Sequence, residues 1–105
     1  MPIASAQYDD EEKLAMERAA ASLVARWGVP DETVDRLLNG DERAAALLGI
    51  HAALRRILAD SDRAVRWIGA PNEAFDGDSA LDVILADGLA GMQRVQAYLD
   101  AEIAG

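Results

Sequence analysis

His51 is the single histidine and cysteine is absent. The side chains that most often serve as general base, thiolate nucleophile or soft metal ligand therefore come down to one position. On a helix, the neighbours of His51 at three and four residues are Leu47, Leu48, Leu54 and Arg55. None is a carboxylate or an imidazole, so a metal has no second ligand at helical spacing. A structural histidine at a helix interface is the expectation. Asp76, Asp78 and Asp82 around Gly77 suggest calcium only superficially. The loop order of a calcium site, with its closing glutamate, is not met, and these are read as loop and cap residues. The serines are Ser5, Ser22, Ser61 and Ser79, none in a nucleophile-elbow setting. Glycine-rich phosphate loops are missing. No enzyme activity, cofactor or metal is expected, which leaves binding as the work of the chain.

The elements that would position a binding surface are helices. Ala, Leu, Arg, Asp and Glu dominate, and alternating β-branched runs are absent. The first helix is expected from Asp9 or Asp10 to Gly28, with Met16, Ala20, Leu23, Val24 and Trp27 as its apolar stripe. Pro30-Asp31 opens a short second helix through Val34, Leu37 and Leu38, stopped by Asn39-Gly40. A third helix begins at Asp41 or Glu42, with Leu47, Leu48, His51, Leu54, Ile57 and Leu58 as its buried stripe. Gly49 in its middle costs about 1 kcal/mol relative to alanine, which predicts close packing against another helix. Asp60-Ser61 caps a fourth helix carrying Ala64, Val65, Trp67 and Ile68, with both tryptophans read as core anchors. Residues 70–78 form a loop with one helical turn, anchored by Phe75. Ser79, with Asp82 at the capping-box position, opens a fifth helix with Leu81, Ile84 and Leu85 inward. After Asp87-Gly88 the last helix runs from about Leu89 to Ile103, on Met92, Val95, Leu99 and Ile103.

At 51% hydrophobic over 105 residues, the chain supports one modest core. Its net charge is −9, which repels phosphate backbones. Beyond Gly69, Glu73, Asp76, Asp78, Asp82, Asp87, Asp100 and Glu102 stand against Arg94 alone. Arg55, Arg56, Arg63 and Arg66 form the one basic cluster and are expected to pair with nearby acids such as Asp60 and Asp62, for little energy; contact with a toxin or with a second copy of the chain is the alternative reading. Apolar runs are too short for a membrane span. Met1 to Gln7 carries neither a basic nor an apolar signal region, so the cytoplasm is the expected location.

An ordered set of motifs goes further. Leu48-Gly49-Ile50 is followed by Trp67, by Pro71-Asn72, by Phe75 and Gly77, by Ser79-Ala80-Leu81-Asp82, and finally by Val95 and Tyr98-Leu99-Asp100. This series resembles the toxin-binding domain of Xre/MbcA/ParS antitoxins over roughly Asp41 to Gly105. Upstream, Ala25-Arg26-Trp27-Gly28-Val29-Pro30-Asp31-Glu32 with Leu37-Leu38 is similar to the first half of that family's helix-turn-helix. The recognition helix that follows in the family is missing, since Asp41-Glu42-Arg43 comes almost at once. A reading helix must set several side chains against base edges, and no basic segment is left to do so. DNA binding is therefore not expected.

The resemblance implies an all-α protein in two parts: residues 1–40 as a helical arm, the remnant of a helix-turn-helix, and residues 41–105 as a compact toxin-binding bundle. It implies a RES-domain toxin as partner, one that consumes NAD or transfers ADP-ribose from it, neutralised by covering its NAD cleft. Asp100, Glu102 and the carboxylate at Gly105 would stand in for the anionic pyrophosphate. Asn72, Phe75, Arg94 and Tyr98 complete the expected toxin-facing set. The stripe Leu23, Val24 and Trp27 lacks an evident full set of partners within the arm, which predicts a homodimer, and higher hetero-oligomers with toxin. A degenerate helix-turn-helix regulator of the operon and a stand-alone oligomerisation module are the alternatives.

Overall fold

The computed structural model describes residues 9–38 and 41–105. The readings placed on Met1 to Gln7 and on Asn39-Gly40 lie outside them. Six helices are described: α1 (Asp10–Arg26), α2 (Asp31–Leu37), α3 (Asp41–Ile57), α4 (Ser61–Gly69), α5 (Ala80–Asp87) and α6 (Leu89–Ala104). A single 3-10 turn (Glu73–Phe75) lies between α4 and α5. Among the described residues there is no β-strand, only an isolated antiparallel bridge between Pro71 and Ser79. The all-α expectation holds.

Local side-chain chemistry caps three of the described helices. Asp9 caps α1 by accepting from the Glu12 N–H at 2.7 Å, while the Glu12 carboxylate accepts from the Asp9 N–H at 3.1 Å. This capping box satisfies two donors that a helix start otherwise leaves orphaned. Asp60 caps α4 through the Asp62 N–H. Ser79 and Asp82 form a second box at the head of α5, with bonds of 3.0 and 3.1 Å. Between α5 and α6 only Gly88 intervenes, at φ 60° and ψ −130°. That backbone region is costly for any residue with a Cβ, so the sharp reversal between the two helices requires glycine.

α3 is the central element, packed against α1 on one side and α6 on another; α5 packs on α6 and α4. Leu47, Ile50 and Leu54 of α3, Val24 of α1, Ile68 of α4, Ile84 of α5 and Met92, Val95 and Leu99 of α6 are all essentially sealed from solvent. The core is therefore continuous across residue 40, joining the arm to the rest of the chain. The α3 stripe differs from the sequence reading. Ile50 is fully buried where His51 was expected, His51 is only half-buried, and Ile57 is 42% exposed. A helix gripped from two sides rotates its buried arc toward both neighbours, which leaves Ile57 at the edge of that arc. On α5, Ala80 and Val83 are buried and Leu81 and Leu85 are half-buried.

The premise behind the predicted dimer is corrected. Leu23, Val24 and Trp27 are 6%, 0% and 9% exposed within the single chain. They sit in the common core, which α1 enters by packing on α3. The stripe already has its cover, so it no longer gives a physical reason for a second copy.

The tight seam between α3 and α6 uses Gly49. A Cβ there would come within 2.9 Å of Gln96 Oε1, so the predicted close packing is present. The α5–α6 crossing is tighter still. A Cβ on Gly91 would fall onto the backbone carbonyl of Val83. This second contact was not read from the sequence.

Candidate functional site

The loop between α4 and α5 is built around Asn72. Its N–H donates to the Asp78 carbonyl at 3.1 Å, its side chain accepts from the Ala74 N–H at 2.9 Å, and its carbonyl accepts from the N–H groups of Phe75 and Gly77, each at 3.0 Å. Asp76 takes the left-handed conformation at φ 58°, a region that aspartate tolerates better than most residues. The Pro71–Ser79 bridge closes the base of the loop. Together these bonds press Phe75 inward, where it is 2% exposed. Asn72 thus serves the loop with all these groups and organises the turn that seats Phe75.

Phe75 meets α6. Its ring lies edge-on to Tyr98 at 5.5 Å, and the Arg94 guanidinium carbon sits 5.3 Å from its centroid. Tyr98 in turn stacks on Trp67 of α4 at 6.2 Å with 15° between the rings. Such aromatic pairs contribute about 0.5–1.5 kcal/mol each beyond their burial. Arg94, Tyr98 and Glu102 follow one another at i, i+4 and i+8, so they share one stripe of α6. Phe75, Arg94 and Tyr98, expected to act together, are brought together by the fold. Trp67, read from the sequence as a core anchor, is half-buried and forms part of this cluster.

The two carboxylates of the acidic tip have different surroundings. Asp100 is two residues before Glu102, which places the two carboxylates on opposite sides of α6. Asp100 accepts from Gln96 Nε2 at 2.9 Å, on the side that packs against Gly49. Glu102 instead borders a groove lined by Leu54, Ile57 and Leu58 from the end of α3, Trp67 from α4, and Tyr98. The groove encloses about 320 Å³ including its open mouth. Gly105 closes α6, its N–H donating to the Ala101 carbonyl at 3.0 Å.

Leu58 and Trp67 continue into a second, flatter depression bordered by Arg63, Arg66 and Ala70. Sequence reasoning assigned these arginines to ion pairs with neighbouring acids. Among the described hydrogen bonds, Arg55 donates to the Ala59 carbonyl, while the Asp60 carboxylate is taken by the Asp62 N–H. None of those bonds uses Arg56, Arg63 or Arg66. The exposure of Ile57 is the feature that sequence reasoning missed; the basic rim is legible in the crowding of arginine between Leu54 and Trp67.

His51 is held below its ordinary pKa of 6.5, first by burial and then by the positive charges of Arg55 and Arg26. These neighbours oppose protonation and supply no general-base partner. The residue belongs to the α1–α3 seam, away from the aromatic cluster.

An all-α scaffold with an aromatic–arginine cluster, an open apolar groove and an acidic helix end has the parts of a protein-binding module. Residues 53–105 match the antitoxin Xre/MbcA/ParS C-terminal toxin-binding domain, and the chain belongs to that family. The matched segment contains every residue of the cluster and the groove described above. The chain is also 40% identical over 77 residues to the uncharacterised protein y4oB of Sinorhizobium fredii, an alignment covering 73% of this chain and 54% of that protein. It thus spans about half the length of the curated relative it matches. No solved structure matches the chain. Among the described residues, no helix is long and apolar enough to cross a membrane.

Proposed function

We propose that this protein is an antitoxin that binds a RES-domain toxin and neutralises it by covering the NAD-binding cleft with the end of α6. The observation that carries the reading is the coincidence of the toxin-binding family match with an acidic helix tip. A cleft that holds a pyrophosphate must be electropositive, and carboxylates on a rigid helix complement it with charge-assisted hydrogen bonds. Asp100 and Glu102 lie on opposite sides of the tip, so only an end-on approach presents both to one cleft. The C-terminal end of the helix dipole adds its own partial negative charge there. The cluster of Phe75, Arg94, Tyr98 and Trp67 fixes the loop and α6 against each other, which holds the tip in place before the toxin arrives.

The test is co-expression with a RES-domain toxin, taken from beside this chain where its operon encodes one, reading growth, NAD level and co-purification. The expected outcome is rescue of growth and NAD, with the two proteins eluting together. Asp100→Asn/Glu102→Gln is expected to retain the fold and lose protection. Truncation after Tyr98 is the poorer variant, because it removes Leu99, which is 1% exposed in the core. Full rescue by the neutralised variant would refute the role of the acidic tip. Absence of both association and rescue by the native chain would refute the antitoxin reading itself.

A further inference from the structure

The groove between the ends of α3, α4 and α6 is unused by the end-on arrangement of the tip. It has three properties that seldom meet on a solvated surface. Its floor is apolar and aromatic, from Leu58, Trp67 and Tyr98. A large aliphatic side chain, Ile57, stands 42% exposed at its edge, one of two such exposed residues in the described chain. Its charge is polarised: Arg63 and Arg66 border the α4 end, whereas Glu102 borders the α6 end. In a chain of net charge −9, two exposed arginines beside an apolar groove are a local concentration of positive charge.

From this geometry we infer that the groove is a second contact for the toxin, receiving an amphipathic segment with an apolar side chain and an adjacent carboxylate. The inference rests on the antitoxin reading above. The apolar side chain covers Ile57 and packs on Trp67 and Tyr98. The carboxylate pairs with Arg63 and Arg66, whose planar, forked donors suit carboxylates bidentately. Glu102, at the other end, stays with the acidic tip and leaves Arg63 and Arg66 as the groove's partners for a carboxylate, so the polarity of the groove fixes the direction in which the segment lies. All groove residues fall within the span that matches the toxin-binding domain, which favours toxin over other occupants. The groove is also continuous with the cluster through Trp67 and Tyr98. One rigid unit would then grip the toxin at two points: an acidic tip for the basic cleft, and a basic-rimmed groove for an acidic ridge beside it.

The experiment measures binding of the full chain to the catalytically inactivated form of the RES-domain toxin that it protects against, by titration calorimetry at two salt concentrations. The variants are Arg63→Glu/Arg66→Glu, the conservative Arg63→Lys/Arg66→Lys, and Ile57→Ser. All three positions are exposed, and circular dichroism checks that each variant folds. The expected result is a Kd at least tenfold weaker for the charge reversal and for Ile57→Ser. The lysine variant loses less, and the salt dependence of binding is reduced in the reversal. Native-like binding by both the reversal and Ile57→Ser, with the native chain still protecting cells, would overturn the groove while leaving the antitoxin reading intact. Failure of the native chain to bind or protect removes both. If the same variants instead dissociate a dimer of the free chain and leave toxin binding unchanged, the occupant is a second copy and the assignment to toxin is wrong.

Discussion

Replacing Gly91 by alanine probes the contact that sets α6, and with it Arg94, Tyr98 and the acidic tip. Considered locally, the change is favourable, because alanine is better than glycine inside a helix by about 1 kcal/mol. The tertiary structure reverses the sign. The new Cβ would fall on the Val83 carbonyl, with the Ile84 Cα at 3.1 Å behind it. Both are backbone atoms of α5, so relief requires the two helices to separate. Overpacking of this kind costs roughly 1–3 kcal/mol. Separation also opens gaps around Ile84, Met92 and Val95, all 0% exposed, and even a gap of about 0.5–1 Å forfeits a quarter to a half of each contact. The net expectation is a loss of about 2 kcal/mol. With an unfolding entropy of about 2.1 cal/mol/K per residue, that lowers Tm by roughly 9 °C. Gly49→Ala is the control. Its Cβ would meet Gln96 Oε1 at 2.9 Å, the far end of a flexible side chain that can swing aside for the cost of its exposed bond to Asp100. The helix-propensity gain then survives in part, and Tm is expected to stay level or rise by a few degrees. Thermal melts and urea titrations of both variants provide the measurement. If Gly91→Ala is as stable as Gly49→Ala, the helices are not held apart by that carbonyl and the reasoning fails.

Trp27→Ala removes a side chain buried in the α1–α3 seam, so it is expected to cost about 3–5 kcal/mol; sedimentation at matched concentrations should show no oligomer lost that the native chain had. Ser79→Ala breaks the capping box ahead of α5 and is expected to lower stability by about 1 kcal/mol, read from urea midpoints with an unchanged m-value. The folded state holds the His51 pKa below 6.5 through burial, Arg55 and Arg26, so its neutral form favours folding. That contribution is complete above pH 6.5 and is lost as pH falls through the lowered folded pKa. His51→Gln should therefore flatten the decline in stability on acidification from pH 7 to pH 5. An unchanged slope would show that His51 is not titrating against the fold.

The helix inventory was legible because its signals are local. Asp9 with Glu12, and Ser79 with Asp82, place donor and acceptor three residues apart, a distance that folding of the first turn alone can close. The same is true of the stripe of Met92, Val95 and Leu99 on the last helix, and of the family motifs running from Leu48 to Asp100. Phe75 was legible as an anchor because it is the lone large apolar residue in a loop of Pro, Gly and Asp.

What covers each stripe was decided only by the tertiary structure. Helical periodicity states that Leu23, Val24 and Trp27 share a face, but not that α3 lies against it; the dimer expectation arose from that gap. Periodicity likewise left one residue of ambiguity on α3, and the two-sided grip of α1 and α6 resolved it in favour of Ile50 over His51. Gly91 looked like an ordinary helical glycine until α5 was folded back upon it. The clustering of Trp67, Phe75, Arg94 and Tyr98 depends on a loop closed by backbone hydrogen bonds, which no spacing encodes. The sequence by itself determined where the chain coils and which faces are apolar, since those follow from neighbours within one or two turns. Which apolar faces remain open to a partner follows from contacts between distant segments, and that was fixed by how the six described helices pack together, with α3 at the centre.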